Sequence, residues 1–201
     1  SELEIPDLLP DCAPTGPELP FVAWGSRARA GKFHGTWHFY VDDYRFAQLW
    51  ERPERIVQTG AVAAVEPNYS IFDQTPFPIA LHNIYRKRWL ARYWQARGLA
   101  VWVDLNVSEA HSELNLLGVP KGWRWFATRG YDERIDDLRR EWELAASVAG
   151  GTPTVLVYGG GPPVAALCGT LPGALHFPEK TGPRHFRRPW PKAAEAAAKL
   201  A

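Results

Sequence analysis

The feature that most constrains this chain is a set of short, near-continuously apolar runs set between segments of helical spacing. "AVAAVEP" (61–67), "LAVWVDLN" (99–106) and "TPTVLVYGGG" (152–161) show no regular alternation of polar and apolar residues. A strand with one wet face alternates. A strand apolar on both faces is covered on both sides, which is the condition of a parallel sheet. "FVAWG" (21–25), "TWHFYVD" (36–42), "WRWFATRG" (123–130) and "ALHFP" (174–178) supply further strands.

The intervening segments read as helices. "YRFAQLWERPERIVQTG" (44–60) has helical spacing through Phe46, Leu49 and Trp50, then Ile56 and Val57, with Pro53 kinking or restarting it. "PFPIALHNIYRKRWLARYWQARG" (76–98) predicts a long helix stopped at Gly98. "DERIDDLRREWELAASVAGG" (132–151) places Ile135, Leu138, Trp142, Ala145 and Val148 on one face, and Gly150 and Gly151 end it. "PPVAALCGTLPG" allows one short helix. Strands alternating with helices predict an α/β fold, a single domain with a mostly parallel sheet. The chain has 201 residues, whereas a full eightfold barrel needs about 250. The expected architecture is therefore a reduced or open barrel-like sheet, with a doubly wound open sheet as its competitor. Residues 1–20 hold five prolines and read as an extended arm on the surface. Residues 21–178 form the α/β domain, and 179–201 form a basic loop and a short Ala-rich helix.

"FYVDDYRFAQLWERPER", "VEPNYSIF", "NIYRKRWLARYWQARGLAV" and "LLGVPKG" occur in that order. Across roughly residues 36–160 the chain resembles domain-of-unknown-function family 4417, seen in phage, plasmid and other mobile-element proteins. The likeness is carried by Asp42, Asp43, Tyr44 and Phe46, and by Asn83, Tyr85, Arg86, Arg88, Tyr93, Trp94 and Gln95. It departs at Asn68, where the family pattern has an acid. The resemblance implies a mobile-element context and no established reaction.

Three constellations carry candidate chemistry. The first is "NIYRKRWLARYWQARG" (83–98), cationic and aromatic with no acid. Here Arg86, Arg88, Arg92 and, in the later loop, Lys121 would meet phosphates while Trp94 stacks on a base. The second is "KTGPRHFRRPWPK" (180–192), where Arg184, Arg187 and Arg188 are interleaved with Phe186 and Trp190. Such a loop suits a single strand. With a net charge of +1, attraction to nucleic acid must come from these local patches. The plain alternative is that the rings pack in the core and the cations stay in water. The third constellation follows from topology. In parallel α/β folds ligands bind beyond the carboxyl ends of the strands, and there stand Asp42, Asp43, Glu66 and Asp104, with Arg129, Tyr158 and His176. These acids could act as an acid–base pair or hold Mg²⁺. Equally, they could cap helices or tie down loops.

The expected function is therefore a nucleic-acid-directed accessory protein of a phage or plasmid, acting in replication or maintenance of the element. The alternatives are a metal-dependent or acid–base hydrolase using the strand-end carboxylates, and a protein-interaction module anchored by Trp residues. A cofactor is otherwise not indicated, and no resident metal site is assigned. The chain's two cysteines form no CxxC pair, which excludes a zinc knuckle or ribbon and predicts a reduced, cytoplasmic setting. No apolar run reaches the roughly 18 residues that cross a bilayer, so no membrane partner is expected. The first twenty residues lack the regions of a signal peptide. His34 and His38, four apart on a strand, match no metal motif, and "GGGPP" (159–163) lacks the lysine of a P-loop.

Overall fold

A computed structural model describes residues 3–26 and 33–179. Seven parallel strands form one sheet in chain order: β1 (Phe21–Ala23), β2 (Thr36–His38), β3 (Ala63–Val65), β4 (Ala100–Asp104), β5 (Trp125–Arg129), β6 (Thr154–Tyr158) and β7 (Ala174–Phe177). Every strand pairs with the next, so the winding never reverses. The result is the half-barrel, open member of the predicted pair, and the doubly wound alternative is excluded because that order requires a reversal.

Side chains sort onto two faces. The concave face carries Phe21, Tyr40, Ala63, Val65, Trp102, Ala127, Leu156 and Phe177 as one cluster. Small residues on β3 and β5 leave room for the large rings of their neighbours. Phe21 of β1 and Phe177 of β7 approach to 5.0 Å between ring centroids. Tyr158 lies 4.0 Å from His38 and stacks on Tyr40 at 5.9 Å. The first and last strands thus meet through rings, without ladder hydrogen bonds between them. The convex face packs Trp37, Val101, Val103, Phe126, Val155 and Val157 against the connecting segments.

Those segments include α1 (Phe77–Gln95), α2 (Ile135–Ala149) and α3 (Pro162–Cys168). The helix expected over 44–60 is not one helix. Four 3-10 turns, Asp43–Arg45, Ala47–Leu49, Pro53–Arg55 and Val57–Thr59, replace it. Pro53 has no N–H to continue a ladder, and Phe46 and Arg52 leave helical geometry at φ −119° and −133°. The apolar positions still reach the core, because Phe46, Leu49 and Ile56 are buried. The segment through Leu8, Leu9 and Cys12 lies along α1 and the 114–118 loop, and Glu18 and Pro20 accept from Thr36 of β2. Gln95 accepts from Leu9 N–H and donates to Leu9 O, and Leu8 N–H donates to Gly118 O. Ile5 and Leu8 are buried there.

Gly118 has φ +75°, and a Cβ added to it would collide with the Pro6 carbonyl oxygen. Gly118→Ala is expected to cost more than about 1 kcal/mol, through both the left-handed backbone and the displaced arm. Chemical denaturation should show a lower midpoint, and limited proteolysis should cut near residue 6 sooner than in the parent.

Candidate functional site

At the carboxyl ends of β3 and β4, consecutive cations of α1 meet consecutive strand-end acids. Lys87 Nζ donates to Asp104 Oδ2 at 2.8 Å and to Asp104 O at 3.0 Å. Arg88 pairs with Glu66 and also donates to Leu117 O and Asn115 O. Glu66 Oε2 accepts the Asp104 backbone N–H, which joins the two pairs. Tyr40 O–H and Asn106 N–H donate to Asp104 Oδ1, and Asn115 Nδ2 donates to Asp104 O. All four charged residues are at most 1% exposed. Burial pushes the Glu66 carboxyl up, opposed by Arg88 and Lys87. Burial also pushes the Tyr40 hydroxyl well up, reinforced by Asp104 and Glu141, so it remains a donor.

A cleft of about 760 Å³ opens above this network. Its walls are the loops after β2 (Asp42, Asp43, Tyr44), after β3 (Asn68 to Gln74) and after β4 (Asn106 to Glu109), with the end of β5 and the start of α2. Two loops are locked together. Asp43 accepts from Ser70 N–H at 3.1 Å and from Ser70 Oγ at 3.2 Å, and Asn83 Nδ2 donates to Ser70 O. Ser108 N–H donates to Ile71 O and His111 donates to Thr75 O. This frame holds two rings outward: Tyr44 is 77% and Phe72 65% exposed.

Opposite them stands Glu141 of α2. Thr128 Oγ1 donates to Glu141 Oε2. Burial pushes its carboxyl well above the ordinary range, with Asp104 and Asp137 adding to the rise and Thr128 opposing it. Asp42, across the cleft, is exposed and makes no side-chain cap. The cleft's arginines are already engaged: Arg134 and Arg140 pair with Asp137, Arg140 also with Glu109, and Arg129 faces Glu179 at 3.8 Å.

The predicted residues therefore divide. Asp42 and Asp43 line the cleft, whereas Glu66 and Asp104 lie sealed beneath its floor and cannot touch a substrate. Arg88 is corrected from a phosphate contact to a buried partner of Glu66. Trp94 is corrected from a stacking ring to a core residue, with its Nε1 donating to Pro53 O. The helix is covered by the sheet, the arm and the 3-10 turns, so its cations and rings fall on wet and dry sides together. Arg86 lies over Tyr69 at 4.1 Å and Trp50 at 5.4 Å. Arg92, in the last turn of α1, and Lys121 stand toward the amino ends of the strands, away from the cleft. Arg184, Phe186, Arg187, Arg188 and Trp190 lie outside the described residues. Arg129 ends β5 in the cleft lining, Tyr158 ends β6 against His38 and Tyr40, and His176 donates to Gly159 O. Among the described residues no group of three or more His, Cys, Asp or Glu side chains converges as metal ligands. No described helix is long and apolar enough to cross a membrane.

Glu141 escaped the sequence reading. Its signal was present: an acid three residues after Leu138 and four before Ala145, both buried, points toward the protein and not toward water.

The family model described as a domain of unknown function, DUF4417, matches residues 1–136. The "Gene 1 protein" of Mycobacterium phage L5 is 40% identical over 109 residues, covering 50% of this chain and 45% of its own length. The "Gene 1 protein" of Mycobacterium phage D29 is 40% identical over 106 residues, covering 50% of this chain and 38% of its own. The matched segment spans less than half the length of these curated relatives. No solved structure matches the chain.

Two outcomes follow from the buried groups. Lys87→Met leaves Asp104 charged and buried without its cation, at an expected cost of about 3–5 kcal/mol, and adding Asp104→Asn should recover part of it. Equilibrium denaturation of the parent and the two variants measures this. His38, wholly buried, is lowered to about 3 by burial and by Arg129. Between that value and 6.5 the unfolded chain binds the extra proton, so stability should fall as pH drops through this window. Melting curves of His38→Phe should show a shallower acid slope than the parent.

Proposed function

This chain belongs to the DUF4417 family, whose curated relatives here are phage proteins, and we propose that it is an acid–base hydrolase working in the strand-end cleft. The observation that carries this reading is Glu141, a carboxyl in the cleft wall that accepts from Thr128 Oγ1 and that burial pushes well above the ordinary carboxylate range. Two carboxyls in unlike surroundings, one buried and one exposed, can divide acid and base roles. Glu141 gives its proton to the leaving oxygen. Asp42, exposed on the opposite wall, takes a proton from the attacking water, whose oxygen bonds to the released centre. Glu66, Asp104, Lys87 and Arg88 position the floor and do not touch the substrate.

A second reading keeps the nucleic-acid-directed accessory role in replication or maintenance of a mobile element. It is supported by Arg86, whose guanidinium faces rings and pairs with no carboxylate among the described residues, and by kinship to phage proteins. Affinity for DNA or RNA would then fall steeply with salt, and flat or absent binding at low salt removes it.

Hydrolysis of nitrophenyl glycosides and bis(nitrophenyl) phosphate tests the enzyme. Glu141→Gln should lower turnover about 10²–10⁴-fold. The parent rate should decline as pH rises through the Glu141 titration. An unchanged Glu141→Gln rate, or a Glu141 carboxyl titrating by NMR at its ordinary value, overturns the reading.

A further inference from the structure

We propose that the cleft binds an uncharged, polyhydroxylated chain, so that the bond cleaved is glycosidic. The inference rests on the acid–base reading for its chemistry and on separate observations for its substrate. Charge is the first. Besides Glu141, five carboxylates and three guanidinium groups line the cleft, and the ion pairs described above engage all three guanidiniums. Asp42, Asp43 and Asp73 remain on the opposite wall. A polyanion entering here would meet net repulsion in a confined space. A neutral ligand would not.

The presented rings are the second. Tyr44 and Phe72 are large, exposed and set on loops that Asp43 and Ser70 bind together. Exposed aromatics on a braced backbone keep their orientation at little entropic cost when a ligand arrives. The C–H face of a sugar ring packs on an aromatic face, while the hydroxyls at its edge need donors and acceptors. The cleft supplies those from Asn68, Gln74 and Asn106. Ser108, whose Oγ is buried without a partner among the described residues, also lines the wall.

The chemistry then balances. Glu141 protonates the glycosidic oxygen, the bond to the anomeric carbon breaks, and water delivers hydroxide to that carbon while Asp42 receives the remaining proton.

The test is binding of oligosaccharides of glucose, N-acetylglucosamine and arabinose units, six residues long, by calorimetry and by chemical-shift mapping. A single-stranded oligonucleotide of equal length serves as the contrast. Glu141→Gln is used alongside the parent to hold substrate uncleaved. The expected result is saturable binding of at least one oligosaccharide by both proteins, little changed by salt. Tyr44→Ala and Phe72→Ala should weaken it tenfold or more with melting temperature unchanged. Oligonucleotide binding in the cleft, failure of every oligosaccharide, or indifference to both ring substitutions overturns the proposal. Oligosaccharide binding without cleavage by the parent refutes only the hydrolase reading. Cleavage of the phosphodiester with no oligosaccharide binding refutes only the substrate class.

Discussion

The fold is registered by two neighbouring ion pairs that occupy the same few ångströms. Lys87 and Arg88 are consecutive on α1, and Asp104 and Glu66 end adjacent strands. Rotating α1 about its axis would pull Lys87 and Arg88 away from Asp104 and Glu66. Four charges without water would each cost several kcal/mol, so the arrangement survives only because hydrogen bonds complete it. Tyr40, Asn115, Leu117 O and the Asp104 amide supply those bonds. The same contacts tie α1 to β2, β3, β4 and the 114–118 loop, and that loop in turn receives the amino-terminal arm. The floor of the cleft is therefore rigid because the helix docking is, and the loops above it inherit a fixed base.

Much of this architecture was legible in the residues. Apolar runs without alternation gave parallel strands, and all seven appear within a few positions of their predicted bounds. Gly98 and Gly150 mark the ends of α1 and α2 as expected. The 44–60 segment was not legible, because its apolar spacing satisfies a 3-10 chain as well as an α-helix. Only Pro53 hinted at the break. The order of strands within the sheet was open until the backbone showed that no crossover reverses.

The candidate site was legible by position and misleading by residue type. Strand ends do surround a cleft, and Asp42 and Asp43 do reach it. Glu66 and Asp104 were indistinguishable from them in sequence, since a buried acid and an exposed one look alike without their partners. Arg88 looked like a surface cation for the same reason. What hid each was a contact from a distant segment: Asn115 and Leu117 for Arg88, Pro53 for Trp94. Pairing between remote stretches is the information that local pattern lacks.

The meeting of Phe21 and Phe177 has a mechanical meaning. A closed cylinder resists widening through its ladder of amides all the way round, whereas a split ring yields at the cut. Here the cut is bridged by ring contacts, which are not locked into a ladder register as paired amides are. Small changes of girth can therefore pass through that seam while every ladder from β1 to β7 keeps its register, and the gape at the rim is adjustable without unfolding any strand.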